Sequence, residues 1–575
     1  MRTSAGRLND GRSPFVGCRP ESRRDSVIVV LFMRQSRMVV LITDVLDPVC
    51  HELLEEAGHT PRVVTDAGPE ELIEHVRGAH GWITRSGTDI TADLLDAAED
   101  LEVIGRAGVG VDNIDLEAAT RRGILVCNAP TGNPLSAAEH TCALLQATAR
   151  QVPQAVRSLQ GGAWERKKFS GTELHEKTLG VIGVGKIGRA VSERMEGFEM
   201  EVLGYDPYLS DDVMERLVPE FVTLGELLER SDFVTVHTPR NDETMGLIGA
   251  DELARCTPSA FVINCARGGI VDEEALLEAV EAERLRGAAV DVYSEEPPQR
   301  DELSALIEHP KVVATPHIAA STGAAQEKVA RRTARQVIAA LKGEAVSSPV
   351  NGMGLRMAAQ PEARPYLHLA DGLGQVASQL GRERLRALTI GCYGEIPPEY
   401  TEVLRVAMLR GVLGHQGLDA PVNLVNAPML AEERELRVRE EREQAPGSFT
   451  QLVQVTAEFE GGETHRVAGT VFDGGVEGRT PRLVRVGSHE LEMQLDGSML
   501  FYRNVDRPGM LAAVGQILAE ADINIASLAL SRPSGGRGGA EALTALRVDD
   551  PLTPDVIDQV AAMDGVKGVR AVEVR

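Results

Sequence analysis

Between Thr178 and Tyr293 the chain repeats a pattern that few folds accept. TLGVIGVG, EVLGYD, FVTVHTP, AFVINCA and GAAVDVY are short apolar runs closed by turn residues, with amphipathic stretches between them. A strand wet on one face alternates apolar and polar residues; these runs are apolar throughout, as a parallel sheet covered by helices on both faces requires. The expected class is therefore a doubly wound α/β sheet. An earlier series is similar: MVVLITD from Met38, GWITRS and LEVIGRAG read as strands, with helices expected at 47–57 and 91–98. A chain of 575 residues is too long for one core and predicts about three or four domains. The texture changes after Val346–Pro349, and a compact last unit opens near Asp496.

The first run of the stronger series leads into GVIGVGKIG, with Gly183, Gly185 and Gly188 placed where a strand gives way to a helix. The first glycine permits a tight turn, the second lets a pyrophosphate approach the backbone, and the third lets helix and strand pack closely. The motif alone is weak. Here the next strand ends in Asp206, about 20 residues on, where a carboxylate can accept hydrogen bonds from ribose hydroxyls and would repel a 2′-phosphate. NAD is expected, and NADP disfavoured.

Three polar groups stand at the ends of later strands: Arg267 in NCARGGIVD, Glu296 in DVYSEEPP and His317 in ATPHIAAST. Ligands of open α/β sheets bind outside the carboxyl ends of the strands, so these positions converge on one crevice. Oxidising an alcohol needs a base for the hydroxyl proton, and the ordinary pKa of histidine, about 6.5, suits His317 to that role. Glu296 would hold its tautomer and stabilise the imidazolium. Arg267 would clamp a carboxylate and polarise the reacting oxygen. Taken singly, each has a structural reading: a turn histidine, a solvated glutamate, a helix-capping arginine.

Together, and in this order behind the nucleotide motif, they resemble the D-2-hydroxyacid dehydrogenase family. RSGTDITADLLDAAEDLEVIGRAGVGVDNID, NAPTGNPLSAAEHTCAL and GGAWERKKFSGTEL are similar to its phosphoglycerate-oxidising branch. The resemblance implies that Arg85, Ser86, Arg106, Gly108 and Asn133 meet the substrate, D-3-phosphoglycerate, with arginines facing its anionic ends. It also implies that Lys186, Ile187, Thr238, Cys265, Ala266, Asp291, Ala319 and Ala320, with His317, line the cofactor. Family members commonly have Thr where this chain has Val109, which removes one hydroxyl contact. The implied architecture is a Rossmann-type nucleotide-binding domain (137–317) inserted in a flavodoxin-like substrate domain (38–136 and 318–345). An α/β intervening domain (346–495) and a βαββαβ ACT domain (496–575) follow.

LVNAPMLAEER, GTVFDGG and PRLVRVGSHELEMQ carry the resemblance through the intervening domain, whose ligand is not readable. The last unit, LFYRNVDRPGMLAAVGQILAEADINIASLAL, reads strand, turn, helix, strand and resembles an ACT module, which senses amino acids and pairs edge to edge with another copy. By that resemblance Asn504, Asp506 and Asn524 would hold L-serine; a purely structural dimerisation module is the alternative. SGGRGGAEA at 534–542 reads as a loop.

Composition removes other classes. With 86 acidic against 60 basic residues, a formal charge of −26 and 3% aromatics, the chain repels nucleic-acid phosphates and offers few rings for stacking. The seven cysteines form no CxxC pair, which argues against a zinc site or a disulfide framework and suits a reducing cytoplasm. The apolar run Val27–Met33 is too short to span a bilayer, and residues 1–37 read as a disordered leader or a mis-assigned start. A homo-oligomer is expected. The competing readings are a glyoxylate or hydroxypyruvate reductase and a non-enzymatic NAD-sensing binding protein of the corepressor type.

Overall fold

The computed structural model describes residues 37–130, 134–217, 219–352, 354–358, 360–416, 421–443, 449–473, 479–532 and 541–575. Residues 1–36 of the expected leader, Asn133 and residues 534–540 of the glycine-rich loop lie outside the described residues.

The first sheet holds β1 (Val39–Ile42), β2 (Thr60–Val63), β3 (Gly81–Thr84), β4 (Val103–Arg106) and β5 (Leu125–Asn128), all parallel, in the order β2-β1-β3-β4-β5. That is the flavodoxin-like order. One face is covered by a helix from far along the chain, Gly323–Leu341, which packs on β3, β4 and β5. Thr322 caps it by accepting from the Ala325 N–H at 3.2 Å, and Val329, Ala330, Thr333, Ala334 and Val337 form its buried stripe. The approach is close: a Cβ on Gly105 would lie 2.6 Å from the Val337 side chain.

The second sheet holds β6 (Thr178–Ile182), β7 (Glu201–Tyr205), β8 (Glu220–Phe221), β9 (Phe233–Val236), β10 (Phe261–Asn264), β11 (Gly287–Val290) and β12 (Val312–Ala314). Its order, β12-β11-β10-β9-β6-β7-β8, reverses between β6 and β9 and so puts a crevice at the carboxyl end of β6. Strands β9, β10 and β11 are buried at every position, with an apolar cluster on each face of the sheet, which is why the runs carry no polar alternation. Both sheets belong to one compact unit, residues 37–363 with 417–434. Within the stretch read from sequence as one intervening domain, residues 421–434 thus cluster with the first two sheets. Asn423 donates to the Gly123 carbonyl at 2.8 Å, and Glu433 pairs with Arg121 at 3.0 Å.

The other unit spans residues 364–416 and 435–575. Its larger sheet contains β13 (Leu385–Gly394), β14 (Arg437–Glu443), β15 (Gln451–Phe459), β16 (Thr464–Asp473), β17 (Arg479–Val486) and β18 (His489–Gln494), in the order β14-β13-β15-β16-β17-β18. The smaller is an antiparallel sheet of β19 (Gly497–Val505), β20 (Ile525–Ser531), β21 (Glu541–Val548) and β22 (Val566–Val574), ordered β20-β21-β19-β22. Helices Met510–Glu520 and Pro554–Ala561 complete its βαββαβ sequence. Helix Arg364–Leu380 ties the two together, because Gln375 bonds the backbone of Arg575 and Gln379 that of Glu573. Among the described residues no helix is long and apolar enough to cross a membrane.

Candidate active site

The glycine turn sits at the switch point, and each glycine there answers to a different constraint. Gly183 has φ +88°, a left-handed backbone that disfavours any side chain. A Cβ on Gly188 would stand 2.2 Å from the Gly183 carbonyl oxygen, whereas one on Gly185 would meet nothing within 4 Å. Gly185 thus leaves open space at the start of helix Lys186–Glu196, where free N–H groups favour an anion. Asp206 closes the turn from β7, accepting from the Val184 N–H at 3.0 Å and the Tyr208 N–H at 3.1 Å. On the other side of the switch point the buried Thr238 hydroxyl has no partner. These features fit a dinucleotide.

Beside them opens a cleft of about 830 Å³. Ile187, Thr238, Cys265, Ala266, Ala319 and Ala320 line its nucleotide side. Arg85, Ser86, Arg106 and Gly108 face them from the first sheet, and Arg267, Glu296 and His317 lie between. Asp291 lies beneath, fully buried.

Within the cleft His317 Nδ1 is 2.6 Å from Glu296 Oε2, while the other carboxylate oxygen accepts from the Tyr293 N–H at 3.0 Å. Burial by itself would raise the Glu296 pKa, but the bonds from His317 and the Tyr293 N–H outweigh it and leave the carboxyl below its ordinary value. The chain at His317 is left-handed, φ +51°, and hydrogen bonds on both sides of it maintain that conformation. Arg267 reaches back to the Ala266 carbonyl at 2.7 Å and lies 3.6 Å from Asp112. Burial, with Arg267 and Arg85 nearby, pushes the Arg106 pKa down to about 10, so the group remains cationic at neutral pH. Gly108 makes room for it: a Cβ there would fall 1.5 Å from Arg106 Nη1. Arg85, Arg106 and Arg267, facing one cleft with a histidine–carboxylate pair, can bind a small polyanion and move a proton beside it.

Sequence reasoning missed several groups that hold these side chains. Asp44, at the end of β1, accepts from the Arg85 and Gly87 N–H groups at 2.8 and 2.9 Å, and Asn113 donates to the Arg85 carbonyl at 2.7 Å. Asp44 was findable, because it ends MVVLITD as Asp206 ends EVLGYD. His140, in the middle of a helix, carried no such signal. In the last unit, Asn504 is buried and accepts from the Thr544 hydroxyl at 2.9 Å, Asp506 pairs with Arg532 at 2.5 Å, and Asn524 donates to Asp549 at 2.7 Å.

Residues 142–319 match the family model of the D-isomer specific 2-hydroxyacid dehydrogenase NAD binding domain. Residues 362–487 match the D-3-phosphoglycerate dehydrogenase intervening domain, and 498–565 the ACT domain. Among solved structures, the TT0316 protein of Thermus thermophilus is 36% identical with a TM-score of 0.50, covering 54% of this chain and all of its own. An NADPH-dependent glyoxylate/hydroxypyruvate reductase from Sinorhizobium meliloti is 28% identical with a TM-score of 0.50, covering 55% of this chain and 97% of its own. Fold and site define the class as D-isomer specific 2-hydroxyacid dehydrogenases. Proteins named D-3-phosphoglycerate dehydrogenase are similar over far more of the chain. That of Archaeoglobus fulgidus is 39% identical over 93% of this chain and 100% of its own, and the human one 40% over 86% and 93%. The chain belongs to the D-3-phosphoglycerate dehydrogenase family.

Proposed function

We propose that the chain catalyses the NAD-dependent oxidation of D-3-phosphoglycerate to 3-phosphohydroxypyruvate, the first step of L-serine synthesis. The observation that carries this is the meeting, in one cleft, of Arg85, Arg106 and Arg267 with the His317–Glu296 pair. A substrate with a phosphate at one end, a carboxylate at the other and a hydroxyl between them satisfies all five groups. Arg85 and Arg106 receive its anionic ends, joined by Ser86, Gly108 and Asn133. Arg267 binds the carboxylate and polarises the reacting oxygen. The Nδ1–H of His317 is engaged by Glu296, which leaves Nε2 to take the hydroxyl proton, and the ionised Glu296 stabilises the imidazolium that results.

NAD, when bound, supplies the two-electron acceptor. Gly183, Gly185, Lys186 and Gly188 would hold its phosphates and Asp206 its ribose hydroxyls. Ile187, Thr238, Cys265, Ala266, Asp291, Ala319 and Ala320 would enclose the rest. The substrate domain is discontinuous, 38–136 with 318–345, around the nucleotide domain at 137–317; the packing of helix Gly323–Leu341 on β3, β4 and β5 supports this. The intervening domain would follow at 346–495 and the ACT domain at 496–575, with L-serine as effector at Asn504, Asp506 and Asn524. A homo-oligomer in the cytoplasm is the setting proposed; the described cysteines, all buried free thiols, fit a reducing compartment.

Steady-state turnover of 3-phosphoglycerate, glycerate and glyoxylate, with NAD and with NADP, tests the reading together with His317→Ala. The phosphorylated substrate with NAD is expected to be preferred, and the variant to lose about 100- to 10,000-fold in kcat with NAD affinity retained. A preference for glyoxylate with NADP would favour the reductase reading, and a variant of normal turnover would remove His317 from the chemistry.

A further inference from the structure

His317 keeps its left-handed backbone because the chain on either side is braced from below. Asp291, with no exposed surface, accepts from the Thr315 hydroxyl at 2.6 Å and the Ile318 N–H at 2.9 Å through Oδ1, and from the Ala319 N–H at 2.9 Å through Oδ2. The Tyr293 hydroxyl donates to the Thr315 carbonyl at 3.0 Å. Residues 315–319 are thus held from both ends around a conformation that is costly for any residue but glycine. One further group reaches this brace from another element: His140, on helix Pro134–Ala149, places Nε2 3.3 Å from both Asp291 Oδ1 and Thr315 Oγ1. Burial alone would raise the Asp291 pKa; nearby His140, the Thr315 hydroxyl and the Ile318 and Ala319 N–H groups instead leave it below its ordinary value.

We propose that His140 is a positioning residue for the dehydrogenase reaction. By donating from Nε2 to the Thr315 hydroxyl oxygen it turns that hydroxyl's hydrogen toward Asp291 Oδ1, which keeps the carboxylate turned toward the Ile318 and Ala319 N–H groups and through them holds His317 in register with Glu296. The inference rests on the reading of His317 as the base. It assigns His140 no contact with substrate. Without that donor the Thr315 hydroxyl is free to turn its hydrogen away, and a buried carboxylate short of a donor can rotate toward another partner and release a backbone N–H beside His317.

The test uses the full chain with three substitutions. His140→Leu keeps the volume and removes the donor. In His140→Gln the amide nitrogen has about the reach of Nε2, and His140→Asn is polar but too short. Leu and Asn are expected to lower kcat by about 10- to 100-fold, the usual cost of misplacing a reacting group by around 1 Å. KM for 3-phosphoglycerate and the calorimetric Kd for NAD should change little, and Gln should restore most of kcat. Amide hydrogen exchange in the ligand-free protein gives a reading independent of turnover: residues 315–319 should exchange faster in the Leu and Asn variants and at the wild-type rate in Gln. A merely structural role would lower thermal stability without separating Gln from Asn. Unchanged kcat in the Asn variant, or equal losses in Asn and Gln, would overturn the proposal. His317→Ala run in parallel keeps the failures apart: if it retains turnover, the base assignment falls and this inference with it, whereas if it loses turnover while the His140 variants do not, the inference alone falls.

Discussion

Arg106 shows how single residues set the character of this cleft. A guanidinium does not lose its proton at neutral pH even when burial and two neighbouring arginines bring its pKa down to about 10, so the repulsion stays in place and favours a ligand that brings negative charge. His237, on the same cleft, is shifted by burial in the same direction but ends uncharged. Its pKa falls to about 4, and it is neutral in the folded protein at physiological pH. Between its unfolded value, near 6.5, and about 4 the unfolded chain binds the proton and the folded one does not. Stability is therefore full above pH 6.5 and falls as the pH drops toward 4, by on the order of 3 kcal/mol from this group. Replacing His237 with Gln should flatten that part of the profile. Thermal midpoints of both proteins at pH 7 and pH 5 check it, and parallel profiles would mean that His237 titrates normally. The convergence of Arg267, Glu296 and His317 on one cleft was legible in the sequence because all three stand at the carboxyl ends of strands of one sheet. Asp44 and His140 act on backbone groups and other side chains, and what they touch depends on elements distant in the chain.

At the scale of elements, the turn from β6 into helix Lys186–Glu196 separates two uses of glycine that look alike in a motif. Gly188→Ala would push a methyl to 2.2 Å from a backbone oxygen that cannot move aside, so helix and strand must part; the nucleotide domain should lose a few kcal/mol of stability, in the range of a forced core overpacking of about 1–3 kcal/mol. Gly185→Ala has free space around it and φ −74°, which alanine adopts readily. It is expected to fold with an unchanged melting temperature and to bind NAD at least about tenfold more weakly, since the methyl fills room left for the pyrophosphate. Calorimetric melting and NAD titration of the two variants separate the cases, and an alanine at 185 that binds NAD normally would move the phosphates elsewhere. Five of the seven strands of the second sheet were delimited in the sequence, their starts to within one residue and their ends to within three, because burial on both faces writes itself as unbroken apolarity. Helix Gly323–Leu341 was less so. Its stripe is plain, but the sheet it covers lies about 200 residues upstream, and only the resemblance pointed there.

At the scale of the whole molecule, the ACT-like domain is not a detachable appendage. Gln375 and Gln379 bond the backbone of its last strand, so a ligand in that domain acts on a strand already joined to the larger sheet's helix. L-serine is expected to inhibit the intact chain, with a coupling of about 1–3 kcal/mol between sites. Asn524→Ala should abolish the inhibition and leave basal turnover unchanged. Because Arg532 occupies Asp506, an incoming ammonium must compete with it, and Arg532→Gln should lower the serine concentration for half-inhibition. Initial rates across a serine titration of the three proteins decide it: inhibition unaltered by Asn524→Ala places serine elsewhere, and no inhibition of the wild type leaves the domain a structural one. The sequence by itself determined the parallel sheets, the glycine turn with its acidic partner and the chemical identity of the proposed catalytic trio, since periodicity, turn chemistry and side-chain type are local properties. Only the tertiary structure decided that His140 lies against Asp291 and Thr315, that Arg106 crosses over Gly108, that residues 421–434 join the unit that holds the cleft, and that Asp506 is already paired. Each of these is a contact between segments far apart in the chain, made where packing brings them within hydrogen-bonding distance, and no local pattern encodes that distance.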